Sequence, residues 1–286
     1  MQKVISASRR TDIPAFYMDW FLHRLKLGSF KLLNPYNGTV RRVAVSKRSV
    51  GAVVFWSKNF APLLKRLKEL SGWPAVFNFT LNSGNSLLEP DVPSLDERKE
   101  QMSTLVSIYG TQAVRWRFDP VVFFSADEVE QNNLGSFRAL LEFAGGLGIR
   151  NCTISFMDPY RTIAGREKHL PGFRFLYPDT ARLVETASWM AELAADCGIR
   201  LFTCCEAGVG RAQIENLVPG RCIDHDLISR LYGADLSGKQ DAGQRKAAGC
   251  LCQESVDVGS YREHPCLCGC LYCYANPVVK PKRSLK

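Results

Sequence analysis

Near its carboxyl end the chain reads Cys266-Leu267-Cys268-Gly269-Cys270-Leu271-Tyr272-Cys273-Tyr274, a C-x3-C-x2-C spacing with one further cysteine inside it. Three thiolates on so short a loop can hold three irons of a [4Fe–4S] cubane and leave the fourth without a protein ligand. That open iron can chelate the amino and carboxylate groups of S-adenosylmethionine (SAM). One electron from the cluster then cleaves the sulfonium bond, giving methionine and a 5′-deoxyadenosyl radical. The expected ligands are Cys266, Cys270 and Cys273. The competing chemistry is structural zinc: Cys266, Cys268, Cys270 and Cys273 supply four sulfurs, and Cys250 and Cys252 can join them. Crowding in C-x-C-x-C strains a single tetrahedral site, which favours iron–sulfur. Cys268 stays unassigned.

Cys205, Cys222, Cys250 and Cys252 form a second set, and four thiolates are what a fully ligated second [4Fe–4S] cluster requires. They fit equally a pair of small buried apolar residues, Cys205 and Cys222, with Cys250 and Cys252 accessory to the first site. Cys152, Cys197 and Cys204 are expected in the core. The chain has 11 cysteines, and its first residues, MQKVISASRRTDIP, do not read as an export signal. A reduced, metal-binding cluster in a cytoplasmic protein is therefore expected, rather than a secreted disulfide framework. No run of about 20 uncharged apolar residues suggests a membrane helix.

These residues need elements to position them. Short apolar runs at Val4–Ser8, Ala52–Ser57, Ala75–Leu81, Ala113–Phe118, Asn151–Met157 and Arg200–Cys205 predict strands. Helical patterns lie near 15–27, 60–71, 95–109, 127–147 and 178–197, the second opening with Pro62 and the fourth capped by Ser125. Such alternation implies parallel strands with helical crossovers. An internal repeat agrees: Leu147-Gly148-Ile149-Arg150 precedes Asn151–Ser155 as Cys197-Gly198-Ile199-Arg200 precedes Leu201–Cys205. The predicted fold class is α/β, a partial (β/α)6 TIM-like barrel over residues 1–233. Residues 234–286 are expected to be a cysteine-rich, cluster-binding segment packed on the barrel mouth and held by metal more than by a core.

Polar residues recur with period two toward the strand ends: Asn78, Thr80 and Asn82; Arg115, Arg117 and Asp119; Thr153 and Ser155; Thr203 and Cys205. On several parallel strands at once, such a face lines a cavity at the carboxyl ends. The repeat puts Cys205 in the place of Ser155, so Cys205 is expected to face the mouth and Cys204 the helices. Arg9, Arg10, Asp12, Lys58, Asn59, Arg115, Arg117, Asp119, Asp158 and Glu206 cluster at these ends. Charges of both signs there suit a zwitterionic cofactor with an anionic or polar substrate. Ion pairs and helix caps are the plainer account, above all for Arg9 and Asp12. Asn78, Thr80 and Ser155 are candidates for ribose or carboxylate hydrogen bonds. None of His23, His169, His225 and His264 has ligand spacing. Trp20, Trp73 and Trp189 read as core, while Trp56 and Trp116 are candidates to line the mouth.

Several segments together resemble an uncharacterised bacterial domain family whose members end in a cysteine cluster similar to that near the N-terminus of ordinary radical-SAM enzymes. They are Ile5–Pro14, Val54–Asn59, Arg115–Pro120, Thr153–Phe156, Cys222–Asp224, Ser255–Gly259 and Cys270–Asn276. The Cys-Tyr-Ala ending also resembles, locally, spore photoproduct lyase and related radical-SAM proteins. The resemblance implies that Tyr272 contacts the adenine of SAM, and that an electron donor such as flavodoxin or ferredoxin serves the cluster. The chain departs from the usual pattern in two ways: its cysteine loop is C-terminal, and no Gly-Gly-Glu-type motif follows. A circularly permuted barrel reconciles both, with Val256–Tyr261 as the strand before the loop, beside Val4–Ser8.

Formal charge is +9 in a chain of 286 residues, with 46% apolar and 23% charged content. These values suit a globular protein with a substantial core. The basic residues are spread out except for Lys280-Pro281-Lys282-Arg283, so nucleic acid is a candidate partner without a concentrated binding patch. The sequence leads to a radical SAM enzyme acting on an unidentified substrate. The alternative is a non-catalytic zinc- or cluster-stabilised module that binds nucleic acid, and a radical enzyme acting on a nucleic-acid base would join the two.

Overall fold

The computed structural model describes residues 1–33 and 38–275; Asn276 and the basic run at 280–283 lie outside them. In chain order the elements are β1 (Lys3–Ala7), α1 (Ile13–Phe16), α2 (Met18–Lys26), β2 (Ser29–Leu33), β3 (Val40–Ala44), β4 (Val50–Ser57), α3 (Ala61–Leu64), β5 (Ala75–Thr80), α4 (Leu95–Tyr109), β6 (Val114–Val121) and β7 (Phe123–Ala126). They continue as β8 (Val129–Asn132), α5 (Phe137–Gly146), β9 (Asn151–Phe156), α6 (Arg161–Glu167), β10 (Phe173–Leu176), α7 (Thr180–Asp196), β11 (Arg200–Thr203), α8 (Ala207–Gly210), β12 (Leu217–Pro219), α9 (His225–Tyr232) and β13 (Val256–Asp257).

Eight strands form one sheet in the order β12–β11–β9–β6–β5–β4–β1–β13. Each pairing in it is parallel. The six strands expected from the alternating pattern are its six central members, neighbouring one another in chain order. The fold is therefore mixed α/β around a large parallel sheet. Among the described residues no pairing between β12 and β13 closes it. As expected, Val256 lies beside Ile5, although β13 is only two residues long.

The helical pattern at 127–147 is corrected. Residues 123–132 form the hairpin β7–β8, with β10 on its other side. Asp127 and Glu128 take left-handed φ values of 48° and 66° at the turn, the backbone a tight hairpin requires. Neither is glycine, so the usual sequence signal is missing. Ser125 is a strand residue, and the helix starts only at Phe137. The 15–27 pattern divides at Tyr17 into α1 and α2. The 60–71 pattern divides into α3 and a short 3-10 turn at Leu67–Leu70.

Strand parity sorts the sheet into two faces. Ile5, Val53, Phe55, Phe77, Phe79, Trp116, Phe118, Cys152 and Ile154 join the core shared with the helices. On the other face Val4, Ala52, Val54 and Val76 pack against Cys222, Ile223, Ile228, Ala234, Cys250 and Cys252. The C-terminal segment thus covers the face that carries the polar period-two residues. Trp116 is fully buried on the helix side, its indole N–H donating to the Leu81 carbonyl at 3.0 Å, so it does not line the mouth. Trp189 is 43% exposed, not core. Among the described residues no helix is long and apolar enough to cross a membrane.

Candidate functional site

The cysteine loop lies across the carboxyl ends of the central strands. The Leu271 amide donates to the Leu88 carbonyl at 3.0 Å, and Arg166 donates to the carbonyls of Cys270, Leu271 and Cys273. Leu88, Val122, Phe124, Ile163 and Phe175 pack around it. Cys266, Cys268 and Cys270 are buried, and Cys273 is half-buried. The Cys268 sulfur lies against those of Cys266 and Cys270, and its contact with Cys266 holds that thiol below its ordinary pKa. Its own sulfur stands 3.9 Å from Asp12 Oδ2. Burial, with Cys270 and Cys266 close by, pushes Cys273 up to about 12. Four soft donors on one loop suit iron–sulfur or zinc and no hard cation.

Around this loop the strand ends bring together part of the expected set. Asp12 caps α1, accepting from the Ala15 amide at 3.0 Å and from the Lys58 amide at 3.2 Å. Burial pushes its carboxyl up to about 6, although Ser57 and these amides pull the other way. Lys58 pairs with Glu89 at 2.8 Å and lies over the Tyr272 ring, 5.4 Å from its centroid. Tyr272 is buried and donates its hydroxyl to Glu89 while accepting from Asn82 at 3.2 Å. Glu89 also pairs with Arg98 at 3.2 Å. Glu89, Arg98 and Arg166 belong to no sequence motif. Glu89 sits in the loop from 81 to 94, longer than the roughly two to six residues usual between strand and helix, which was the one available signal.

Asp119 connects this group to the rest of the face. Its carboxylate accepts from Arg117 and Ser155. Its amide donates to Asn82 Oδ1 at 2.8 Å, and its carbonyl accepts from Asn82 Nδ2 at 3.2 Å. Glu206 accepts from the Phe156 amide at 2.8 Å; burial, with Asp158 and Asp119 nearby, pushes its carboxyl up to about 8. Asp158 is paired with Arg245. Thr80 is half-buried at the end of β5. Asn59 serves the backbone, accepting from the Ala61 amide at 3.1 Å. Arg10 reaches the Gly259 carbonyl at 3.2 Å.

The other cysteines lie under the same segment, around Arg9, Asn78, Arg115 and Arg117. Cys205 contacts the thiols of Cys204 and Cys250. Cys204 Sγ stands 3.5 Å from Cys222 Sγ. Cys222 contacts Cys252, and Cys252 contacts Cys250. Cys204 was expected to face the helices, and this is corrected. In the sheet Thr203 pairs with Ile154, so β11 sits one residue off the register that the internal repeat suggested, and a one-residue slip exchanges the faces. Cys205 nonetheless stays with the group because its φ of 62° breaks the strand alternation. Asn78 and Arg115 both donate to the Cys222 carbonyl, at 3.2 and 3.4 Å. Cys152 is core as expected, and Cys197 packs half-buried against it. Among the described residues no group of three or more His, Cys, Asp or Glu is arranged to hold a single metal ion.

A family model described as "Domain of unknown function (DUF1848)" matches residues 4–275, and the chain belongs to that family. No curated protein matches the chain. Among solved structures, a D-hydantoinase from a Bacillus sp. AR9 aligns at 12% identity with a TM-score of 0.34, over 59% of this chain. The chain spans 38% of the hydantoinase, and so loose a likeness carries no argument.

Proposed function

We propose that this DUF1848 protein is a radical SAM enzyme, with a [4Fe–4S] cluster on Cys266, Cys270 and Cys273 and an unidentified substrate at the carboxyl ends of the parallel strands. The observation that carries the reading is where the cysteine loop lies: Tyr272 is bonded to Asn82 and Glu89, and Cys268 lies beside Asp12, beyond the ends of β5 and β1. A strand running parallel beside β1 immediately before this loop also fits a circularly permuted partial barrel. When bound, the cluster and SAM would supply reductive sulfonium cleavage and a 5′-deoxyadenosyl radical.

The chain's own residues would bind, orient and exclude water. Lys58 brings a cation to the Tyr272 side of the loop, suited to a carboxylate, and Asn82 presents an amide there. Arg117, Asp119 and Ser155 form a fixed polar unit beside them, able to hold a ribose or an anionic substrate group. Glu206 has a carboxyl that burial keeps protonated near neutrality, so it can donate to a substrate oxygen. Tyr160 and Tyr274 stand ring to ring beside the loop, 5.3 Å between centroids. An electron donor such as flavodoxin or ferredoxin is required.

Cys268 decides between this reading and the alternative, because its contacts with Cys266 and Cys270 put a fourth sulfur within reach. A fourth ligand would give a closed zinc or cluster site in a module that binds nucleic acid through the excess positive charge. Anaerobic reconstitution tests this. The radical SAM reading expects a brown protein whose reduced EPR signal shifts with SAM, with the shift kept in Cys268→Ala and lost in Cys270→Ala. A full cluster without that shift overturns it. So does colourless protein with stoichiometric zinc and nucleic-acid binding that falls steeply with salt.

A further inference from the structure

The five sulfurs under the C-terminal segment form a closed ring: Cys205 to Cys204, Cys204 to Cys222, Cys222 to Cys252, Cys252 to Cys250 and Cys250 back to Cys205. Cys222, Cys250 and Cys252 are buried, and the five come from three separate stretches of chain. Apolar packing alone gives no reason for thiols from distant segments to seek one another, since each is a weak donor and a weak acceptor.

The surroundings are cationic. Arg9, Arg115 and Arg117 converge here, and a guanidinium does not lose its proton in a protein. Arg117 donates to Cys222 Sγ at 2.6 Å with one arm and to Asp119 with the other. Arg9 pairs with Asp241 at 3.3 Å and with Asp257 at 3.9 Å, yet its Nη1 is buried without a hydrogen-bond partner. The Arg115 guanidinium donates to the Cys222 carbonyl at 3.4 Å, a long bond to a neutral acceptor, and burial lowers its pKa although Cys222 and Asp224 lie near. Buried charge requires compensation, and neutral thiols give little. Metal-bound thiolates would supply it, because four of them outweigh the positive charge of an iron–sulfur core. The Cys222 amide already donates to Cys252 Sγ at 3.3 Å, the kind of N–H···S bond that stabilises a ligating sulfur.

We infer that the ring of Cys204, Cys205, Cys222, Cys250 and Cys252 is a second iron–sulfur site, taking a cluster fully ligated by four of its five thiols, with Arg9, Arg115 and Arg117 as counter-charges. Unlike the C-terminal loop it leaves no iron open, so it binds no SAM. The assignment does not depend on the function proposed for Cys266, Cys270 and Cys273.

The test is iron and sulfide analysis of full-length protein reconstituted anaerobically, alongside a Cys266→Ala/Cys270→Ala/Cys273→Ala variant checked for folding by circular dichroism. The triple variant should retain about half of the wild-type iron, with a reduced EPR signal that SAM does not move. Adding Cys222→Ala and Cys252→Ala should remove the remainder. A folded triple variant without iron, or one with zinc or a disulfide in its place, overturns the second site and leaves the first standing. Iron retained in the triple variant when wild type shows no SAM response does the reverse. If the five-fold variant does not fold, the wild-type stoichiometry decides: about eight irons per chain supports two clusters and about four refutes them.

Discussion

Glu89 is 5% exposed, with Lys58 on one carboxylate oxygen, Arg98 on the other, and bonds from Tyr272 and Asn82. Removing one member of such a buried set strands the others. Glu89→Ala should therefore lower the unfolding free energy by about 3–5 kcal/mol, measured by urea denaturation, since two cations lose their partner. Burial alone would raise this carboxyl's pKa, but Lys58 and Arg98 outweigh it and hold the group below its usual 4.5. A folded-state pKa below the unfolded one gives stability that is fully present above 4.5 and lost as pH falls below it. The gap between wild type and Glu89→Gln should accordingly narrow from pH 7 to pH 4. A gap independent of pH would mean that the carboxylate is not ionised in the folded protein.

The strands announced themselves because one face had to be apolar and the other could not be. Phe77 and Phe79 flank Asn78, and Trp116 and Phe118 flank Arg117, a period that only a sheet with two different neighbours produces. The same logic failed where alternation stopped: the turn at Asp127 and Glu128 carries no glycine, and the repeat could not reveal that β11 pairs one residue out of step. Cysteine spacing marked out the loop at 266–274, but the groups that hold it had no pattern to show. Arg166 is one charge on a short helix, and only the fold turns it onto three carbonyls. Arg166→Ala should leave the sheet intact and loosen residues 266–275, seen as faster proteolysis there and lower iron retention; unchanged protease resistance would show that the loop is held by packing. Gly259 ties down the strand before it. A Cβ at Gly259 would meet Ser8 Oγ at 2.2 Å and Ser8 Cβ at 2.6 Å, and that serine donates to Asp257 at 2.5 Å. Gly259→Ala should destabilise by about 1–3 kcal/mol through overpacking. It should also speed hydrogen exchange at the Val258 amide, which bonds to the Ser6 carbonyl at 3.0 Å.

At the scale of the molecule, residues 234–286 differ in composition from the rest of the chain, and those described pack against it. The sheet face opposite the helices contributes Val4, Ala52, Val54 and Val76 to an apolar cluster whose other members include Ala234, Cys250 and Cys252. The Gln2 amide donates to the Asp235 carbonyl at 2.6 Å, and β13 supplies the outer neighbour of β1. A chain ending at Gly233 would expose that apolar face, strip Asp257 from Arg9, and leave β1 as an open edge able to pair with another copy. Such a fragment should be recovered insoluble, or as a species that binds hydrophobic dye without a cooperative transition. The whole chain should unfold in one transition, with tryptophan fluorescence and far-ultraviolet circular dichroism coincident. Trp56 makes the comparison sensitive, because its ring lies between Arg9 and Arg117 under the C-terminal segment, 6.0 and 5.3 Å from their guanidinium carbons. If the segment were a separate unit, fluorescence would move at lower denaturant than circular dichroism, and a soluble, cooperative 1–233 fragment would follow.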